Sequence, residues 1–330
     1  MKQEIIDQIN TLAKQNEPFL FVINYHGTRA YIRKLAEIDW HECLYDFEGF
    51  TNTNKSASIS TAPLKKWIVT PPSSETYRKS FEIVKRNIMA GNSYLTNLTC
   101  QSWVECNLSL NDIFMRAKGK YKLLLNCKDI HQGHFVCFSP ETFIKIKGGR
   151  IFSYPMKGTL DASIPNAEQV LMADEKEAAE HATIVDLIRN DLSRVATGVR
   201  VDRYRYIDVL HTNKGDILQT SSEISGKLPN DYRQHLGDII AAQLPAGSIT
   251  GAPKDKTMQI INEAENYERE FYTGIMGIYK QGELTSGVMI RFLEQHEQEM
   301  VFKAGGGITS KSDYQKEYEE VIQKMYLPFT

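Results

Sequence analysis

No stretch of this 330-residue chain reaches the roughly 18 consecutive apolar residues of a membrane-spanning helix, so no span is expected. The N-terminus, MKQEIIDQINTLAKQ, carries acids and no uninterrupted apolar stretch, which argues against a secretory signal. Cysteine is scarce. Five are present, an odd number with no C-x-x-C pair, which predicts reduced thiols in a cytoplasm and neither a disulfide framework nor a zinc knuckle. Neither sign of charge dominates: 39 basic and 41 acidic residues leave a net charge of -2, so no basic surface for nucleic acid or anionic membrane is expected. There is no G-x-G-x-x-G, no P-loop, no low-complexity tract and no solenoid repeat. The run IHQGH holds His131 and His134 without further ligands at zinc spacing, and both read as hairpin residues.

What is present is a globular composition, 42% hydrophobic and 24% charged. PFLFVINY (18–25) reads as a buried strand, and the polar, Pro/Ser-rich stretch 51–75 as an irregular connection. Tyr77, Phe81, Val84 and Ile88 then fall at helical spacing, with Gly91 as a stop. Strand-like runs follow at 121–127, 134–138, 142–147 and 150–155, and Gly148-Gly149 joins the last two as a hairpin turn. A long helix is expected from about Asp174, with Ala178, Ala182, Val185, Ile188 and Leu192 as its apolar stripe. A second helix follows GSITGAPK, then a meander over 271–307. A last helix starts at SDYQ, where Ser312 and Gln315 fit a capping box. Strands gathered in hairpins, not interleaved with helices, predict an α+β fold with antiparallel sheets.

Four features could carry chemistry, and each has a plainer reading. Glu177 and Glu180 share one helix face, as do Glu317, Glu320 and Lys324; these are solvated faces or an oxygen-rich site suited to Mg²⁺. AGGGIT (304–309) reads as a glycine-rich turn from strand to helix whose N–H groups could hold an anion. GSITGAPK is an ordinary helix entrance or an anion site, and Arg291, a strand arginine in an apolar run, needs an internal acid or a ligand carboxylate as partner. Lys157, in YPMKGT, counts to the same end of the Gly148-Gly149 hairpin as Glu141, with Glu141 opposite Met156. The pair is a weak surface ion pair, or a desolvated lysine of lowered pKa with an acid beside it.

SPE (139–141), YPMKGT (154–159), KEAAEHATIVDLIRNDLSRV (176–195), GSITGAPK (247–254), VMIR (288–291) and AGGGIT with EYEE (304–320) together resemble the chorismate-utilising enzymes. That group holds anthranilate synthase component I, aminodeoxychorismate synthase component I, isochorismate synthase and salicylate synthase. The resemblance spans about residues 75–326 and implies one large fold of two mainly antiparallel sheets packed as a sandwich with flanking helices. The short region 1–74 would pack on the catalytic region 75–330 as part of one domain. It also implies Mg²⁺ as cofactor, held directly by Glu180 and Glu320 and through water by Glu177 and Glu317. Arg291, Tyr272, Ser248, Lys324, Thr159, Gln219 and the amides of Gly305, Gly306 and Gly307 would hold chorismate, with Glu141 as the acid near the ring's C4 hydroxyl. Gln219 stands where the family commonly has histidine; it can hydrogen-bond but cannot take a proton.

The turn around Lys157 separates the branches. Anthranilate synthases have alanine there, whereas aminodeoxychorismate synthases have lysine, and the resemblance to the latter implies attack of the Lys157 amine on C2 of chorismate. Isochorismate and salicylate synthases use a lysine to activate water at the position matched here by Leu95. The implied partners are chorismate and ammonia from a separate glutamine amidotransferase subunit. Anthranilate synthase component I and a non-catalytic chorismate-binding scaffold stay as alternatives, and tryptophan feedback is not expected.

Overall fold

The computed structural model describes residues 1–53, 63–131, 133–212, 215–297 and 299–329. The chain opens with helix α1 (Gln3–Lys14), strands β1 (Phe19–Ile23), β2 (Ala30–Lys34), β3 (Cys43–Phe47), β4 (Phe50–Thr51) and β5 (Trp67–Thr70). Helix α2 (Ser74–Met89), β6 (Leu95–Cys106), α3 (Leu110–Arg116), β7 (Tyr121–Leu125), β8 (His134–Ser139), β9 (Thr142–Lys147), β10 (Arg150–Ser153) and β11 (Met156–Asp161) follow. Next come α4 (Ala167–Ala173), α5 (Glu175–Ser193), β12 (Thr197–Thr212), β13 (Gly215–Lys227), α6 (Leu236–Gln243), β14 (Gly251–Ala252) and α7 (Lys254–Ala264). The chain closes with β15 (Ile275–Lys280), β16 (Glu283–Val288), β17 (Phe292–His296), β18 (Glu299–Ile308) and α8 (Tyr314–Gln323).

The strands form two antiparallel sheets, as the hairpin pattern predicts. The first runs β11-β13-β10-β9-β16-β15-β1-β2 with β12 also on β13; the second runs β14-β6-β18-β17-β8-β7-β3-β4 with β5 on β6. Strand β1 explains how they pack. Its five residues are all buried because both faces are covered. Phe19, Phe21 and Ile23 join a core with Ile5 and Ile9 of α1, Val185 of α5 and Ile240 of α6. Leu20 and Val22 point the other way, into a core shared with Tyr45, Leu123 and Phe135 of the second sheet. A third core sets Phe81 of α2, Ile113 of α3, Ile260 of α7 and Val321 of α8 against Leu98 and Phe302. Each fully buried side chain of this size contributes roughly 1.5–3 kcal/mol, and the sum holds two face-packed sheets between helical layers.

Helix α2 matches its sequence pattern. Tyr77, Phe81, Val84 and Ile88 are buried, the Ser73 side chain accepts from the Thr76 amide, and Gly91 takes a left-handed φ of 78° just past the end. Helix α5 starts where expected, with the Asp174 side chain accepting from the Glu177 amide. Its buried stripe differs, because Ala182 is exposed while His181 and Ile184 are buried. His181 turns inward because Ser222 of β13 meets its Nε2 at 2.7 Å.

Several expectations are corrected. Asp313, not Ser312, caps α8, accepting from the amides of Gln315 and Lys316. In the stretch 51–75, residues 54–62 lie outside the described residues and 67–70 form β5. The run 304–309 is not a turn: Gly305, Gly306 and Gly307 are strand residues of β18, paired with Thr99, Leu98 and Asn97 of β6. The absence of side chains lets strands approach where loops usually would; a Cβ on Gly305 would sit 2.5 Å from Thr99 Cγ2. Arg291 lies between β16 and β17 with φ of 53°, so it is a kink residue and not a strand residue. The Lys147–Arg150 pairing is as counted, but β10 ends at Ser153, and Met156 pairs with Ser221 of β13, not with Glu141. Pro155 has no N–H to continue the ladder, so the pairing sum fails beyond it.

Candidate active site

Lys157 sits on β11 at a bulge. Lys157 pairs with Thr220 and Thr159 with Gln219, leaving Gly158 as the extra residue at φ 77°. A Cβ on Gly158 would lie 2.9 Å from Glu177 Oε2, so the bulge admits only glycine if Glu177 is to stay in place. The Thr220 hydroxyl donates to the Lys157 carbonyl and fixes the bulge from the neighbouring strand.

From there the Lys157 side chain leaves the first sheet and reaches the second. Its Nζ is 3.0 Å from Glu180 Oε2 of α5. It also lies 3.6 Å from where a Gly307 Cβ would be, and Leu95 Cδ1 flanks the same spot at 3.1 Å. A Cβ on Gly306 would meet Glu317 Oε2 at 3.7 Å, Lys324 Nζ at 3.8 Å and Glu320 Oε1 at 3.9 Å. Gly307 thus faces Lys157, and Gly306 faces Lys324 and the carboxylates of α8. Beyond Lys303, which pairs with Phe292, β17 has ended, so no described strand pairs this part of β18 on the side away from β6. Lys324 uses that edge, donating to Gly305 O at 3.1 Å while pairing with Glu320 Oε1 at 2.8 Å.

Electrostatics here run against one expectation. Burial lowers the pKa of Lys157, but Glu180 first, then Glu177 and Glu320, outweigh it and hold the amine protonated. The expected lowered pKa is therefore reversed. Glu141 behaves oppositely: burial raises its pKa, opposed by a hydrogen bond from Ser248 and by the charge of Lys324. Ser248 donates its hydroxyl to Glu141 Oε1, so it is engaged with the acid. Glu141 and Lys324 are close enough to sense each other's charge, which ties the acid to the glycine edge of β18.

The remaining expected residues gather around this centre to different degrees. Tyr272 is 3% exposed, packs against Phe292 at 5.8 Å between ring centroids, and carries a hydroxyl whose pKa burial pushes up. The Arg291 guanidinium lies over the Tyr326 ring at 5.3 Å, and no carboxylate of a described residue pairs with it. Gln219 stands opposite Thr159 and keeps a buried Oε1 with no hydrogen-bond partner.

The four glutamates suit a divalent cation in kind. They are hard oxygen donors, and the missing side chains of Gly158 and Gly306 leave room beside Glu177, Glu317 and Glu320. They do not form a tight cluster, since the one trio of described residues whose ligand atoms lie within 4.8 Å of each other is His131, Glu294 and His296. Two of them pair with lysines, Glu180 with Lys157 and Glu320 with Lys324. A cavity of about 240 Å³ lies elsewhere, against Tyr25 and Arg269. A cavity of about 30 Å³, room for a single water, touches Glu141, Ser248, Asp191 and Gln243.

The sequence reading missed three supports. His181 is fully buried next to Glu180, its pKa lowered to about 4 by burial and by Arg205. Asp191 and Lys254 pair at 2.7 Å behind Ser248. Arg269 and Glu265 form a buried pair at 2.6 Å, with Glu265 accepting from the Thr99 amide opposite Gly305. Helix spacing flags none of these as partners, because each pair joins separate elements or carries the ordinary look of a surface i,i+4 pair.

Residues 10–329 match the family described as chorismate binding enzyme. A Haemophilus influenzae protein named "Uncharacterized PabA-like protein" is 46% identical over 327 residues, covering 99% of this chain and 97% of its own length. Aminodeoxychorismate synthase component 1 of Salmonella typhimurium is 34% identical over 204 residues, which cover 59% of this chain and 44% of that protein. The crystal structure of anthranilate synthase component I from Streptococcus pneumoniae superposes with a TM-score of 0.67 at 26% identity, over 79% of this chain and 59% of that one.

Proposed function

The chain belongs to the chorismate-binding enzymes, and from that premise we propose that it aminates chorismate at C4 with ammonia, giving 4-amino-4-deoxychorismate and water, on the way to 4-aminobenzoate. The observation that carries this reading is the position of Lys157: an amine on a glycine bulge, crossing between the sheets to Gly307 and ringed by acids. The anthranilate synthases that the chain also resembles have alanine in the same turn. Leu95, beside the same glycine, offers no base to activate water.

In the proposed sequence the neutral Lys157 amine adds to C2 of chorismate. Both conjugated ring double bonds shift by one position, and the C4 hydroxyl leaves as water with a proton from Glu141. Ammonia then adds at C4 and gives up a proton, both double bonds return to their places, and the Lys157 amine departs from C2 with a proton taken up. Splitting one substitution into two is covalent catalysis with an amine nucleophile. The raised pKa of Glu141 supports its part, since an acid must hold its proton until the leaving group needs it. Arg291, Lys324, Tyr272, Thr159, Gln219 and the edge of β18 at Gly305, Gly306 and Gly307 would bind and orient the dianionic substrate, with Ser248 holding Glu141 in place. Glu180 and Glu320 directly, with Glu177 and Glu317 through water, would hold Mg²⁺, whose charge would satisfy the acids that now keep Lys157 protonated and would offset the substrate's carboxylates. Ammonia would come from a separate glutamine amidotransferase subunit or from solution.

The test is intact-mass analysis of the protein incubated with chorismate and Mg²⁺ without ammonia. A covalent adduct that maps to Lys157 is the expected result. A native protein that instead releases ortho-aminobenzoate when given ammonia, with no lyase added, would be an anthranilate synthase. A native protein that fails to turn chorismate over with any nucleophile would be a scaffold.

A further inference from the structure

We propose that His131, Glu294 and His296 form a second metal site, built for a divalent ion of the zinc class and sharing no residue with the chorismate site. The three come from two elements. Glu294 and His296 lie two apart on β17 and so project from one face, while His131 lies in the segment that leads into β8. The Nε2 atoms of His131 and His296 both converge on Glu294 Oε1, that of His296 at 2.9 Å. All three ligand atoms fall within 4.8 Å of one another. Two imidazole nitrogens and one carboxylate oxygen are a zinc ligand set with a fourth position left for water, whereas Mg²⁺ favours oxygen alone.

Burial of a carboxylate does not by itself explain this arrangement. Glu294 is 1% exposed, and Lys303 Nζ already sits 2.5 Å from its Oε2. One ammonium balances that charge, so two imidazoles on the other oxygen exceed what a buried acid requires. Lys303 instead does what outer partners of metal ligands do: it fixes the carboxylate so that Oε1 stays aimed at the imidazoles. Gly133 adds a second specific fit. A Cβ there would come 2.7 Å from His296 Cε1 and 2.9 Å from its Nδ1, so only glycine lets this imidazole turn back towards Glu294. His131 is held from behind by Phe271, at 5.5 Å between ring centroids. His296 is 47% exposed, which gives an ion a path from solvent. Occupancy would clasp the segment before β8 to β17. The sequence offers no zinc spacing because 163 residues separate His131 from Glu294.

The experiment is calorimetric titration of the full chain with ZnCl₂ in excess MgCl₂, which keeps the glutamate-lined site from competing. Binding of one equivalent is expected, with a rise of Tm by a few degrees, and Co²⁺ in its place should give visible absorption bands. His296→Ala and His296→Gln, both at an exposed side chain, should weaken binding by about tenfold or more and abolish the Tm rise. No saturable uptake of Zn²⁺ in excess Mg²⁺ would overturn the proposal. So would equal affinity in both His296 variants. Neither outcome touches the Lys157 adduct, so the two readings fail separately.

Discussion

Lys157 Nζ and Glu180 Oε2 lie 3.0 Å apart, although one side chain comes from a strand bulge of the first sheet and the other from helix α5. Burial alone would release the lysine's proton; Glu180, with Glu177 and Glu320 behind it, retains it. The amine proposed as nucleophile is therefore kept protonated by the same carboxylates proposed to receive the cation. Reactivity then depends on what else neutralises those acids.

Chelation should accordingly abolish amination, not merely weaken it. Glu320→Gln, at an exposed position, should raise the Mg²⁺ concentration for half-maximal rate by about tenfold, as loss of a metal-site partner typically does. Rates measured against Mg²⁺ in the native and variant proteins check this. An unchanged requirement would remove Glu320 from the ligand set.

Lys157→Ala should lower kcat for 4-amino-4-deoxychorismate by about a thousandfold while the KM for chorismate changes little, because in the covalent reading the group acts on the reacting carbon and not on ground-state binding. Steady-state kinetics with mass detection of both amino isomers gives the answer. Full activity in this variant would end the covalent reading.

Glu141→Gln should cut kcat by about 10²–10⁴-fold and remove the limb of the pH–rate profile that falls as pH rises through the acid's raised pKa. Stability should move the other way. A carboxyl with folded pKa above the ordinary 4.5 binds more protons folded than unfolded in that window, so native stability falls as pH rises through it. The glutamine variant lacks this loss and should be the more stable protein at neutral pH. Urea melts at two pH values, one below and one above the window, measure it.

Gly158→Ala should cost about 1–2 kcal/mol from the left-handed φ of 77° alone. The added Cβ also meets Glu177 Oε2 at 2.9 Å, so activity should fall along with stability. By contrast Phe21→Ala, in the core, should cost about 3–5 kcal/mol in a denaturant melt. Phe21 is fully buried, with its ring against the open face of Gly277, where a Cβ would come 2.4 Å from Cζ.

Much of this protein was legible in one dimension. Helix α2 has its buried stripe, its Ser73 cap and its left-handed Gly91 because each is a local matter of spacing and backbone freedom. The strands of 121–155 and their Gly148-Gly149 turn are equally local, as is the apolar continuity of β1 that announces a strand covered on both sides. Motif order alone pointed to the chorismate-binding enzymes.

What the linear pattern could not decide is where the chain stops obeying its own local rule. Pro155 ends the β10 ladder and hands Met156 to β13, so counting across the hairpin misplaced Glu141. The glycines of 305–307 have no side chains to declare a strand, and only pairing with β6 makes them one. The charge state of Lys157 and the meeting of His131 with Glu294 depend on contacts between distant segments. Those energies fall off over a few ångströms in space and carry no trace in residue spacing. The sequence supplied the chemical groups; packing of the two sheets set which of them meet.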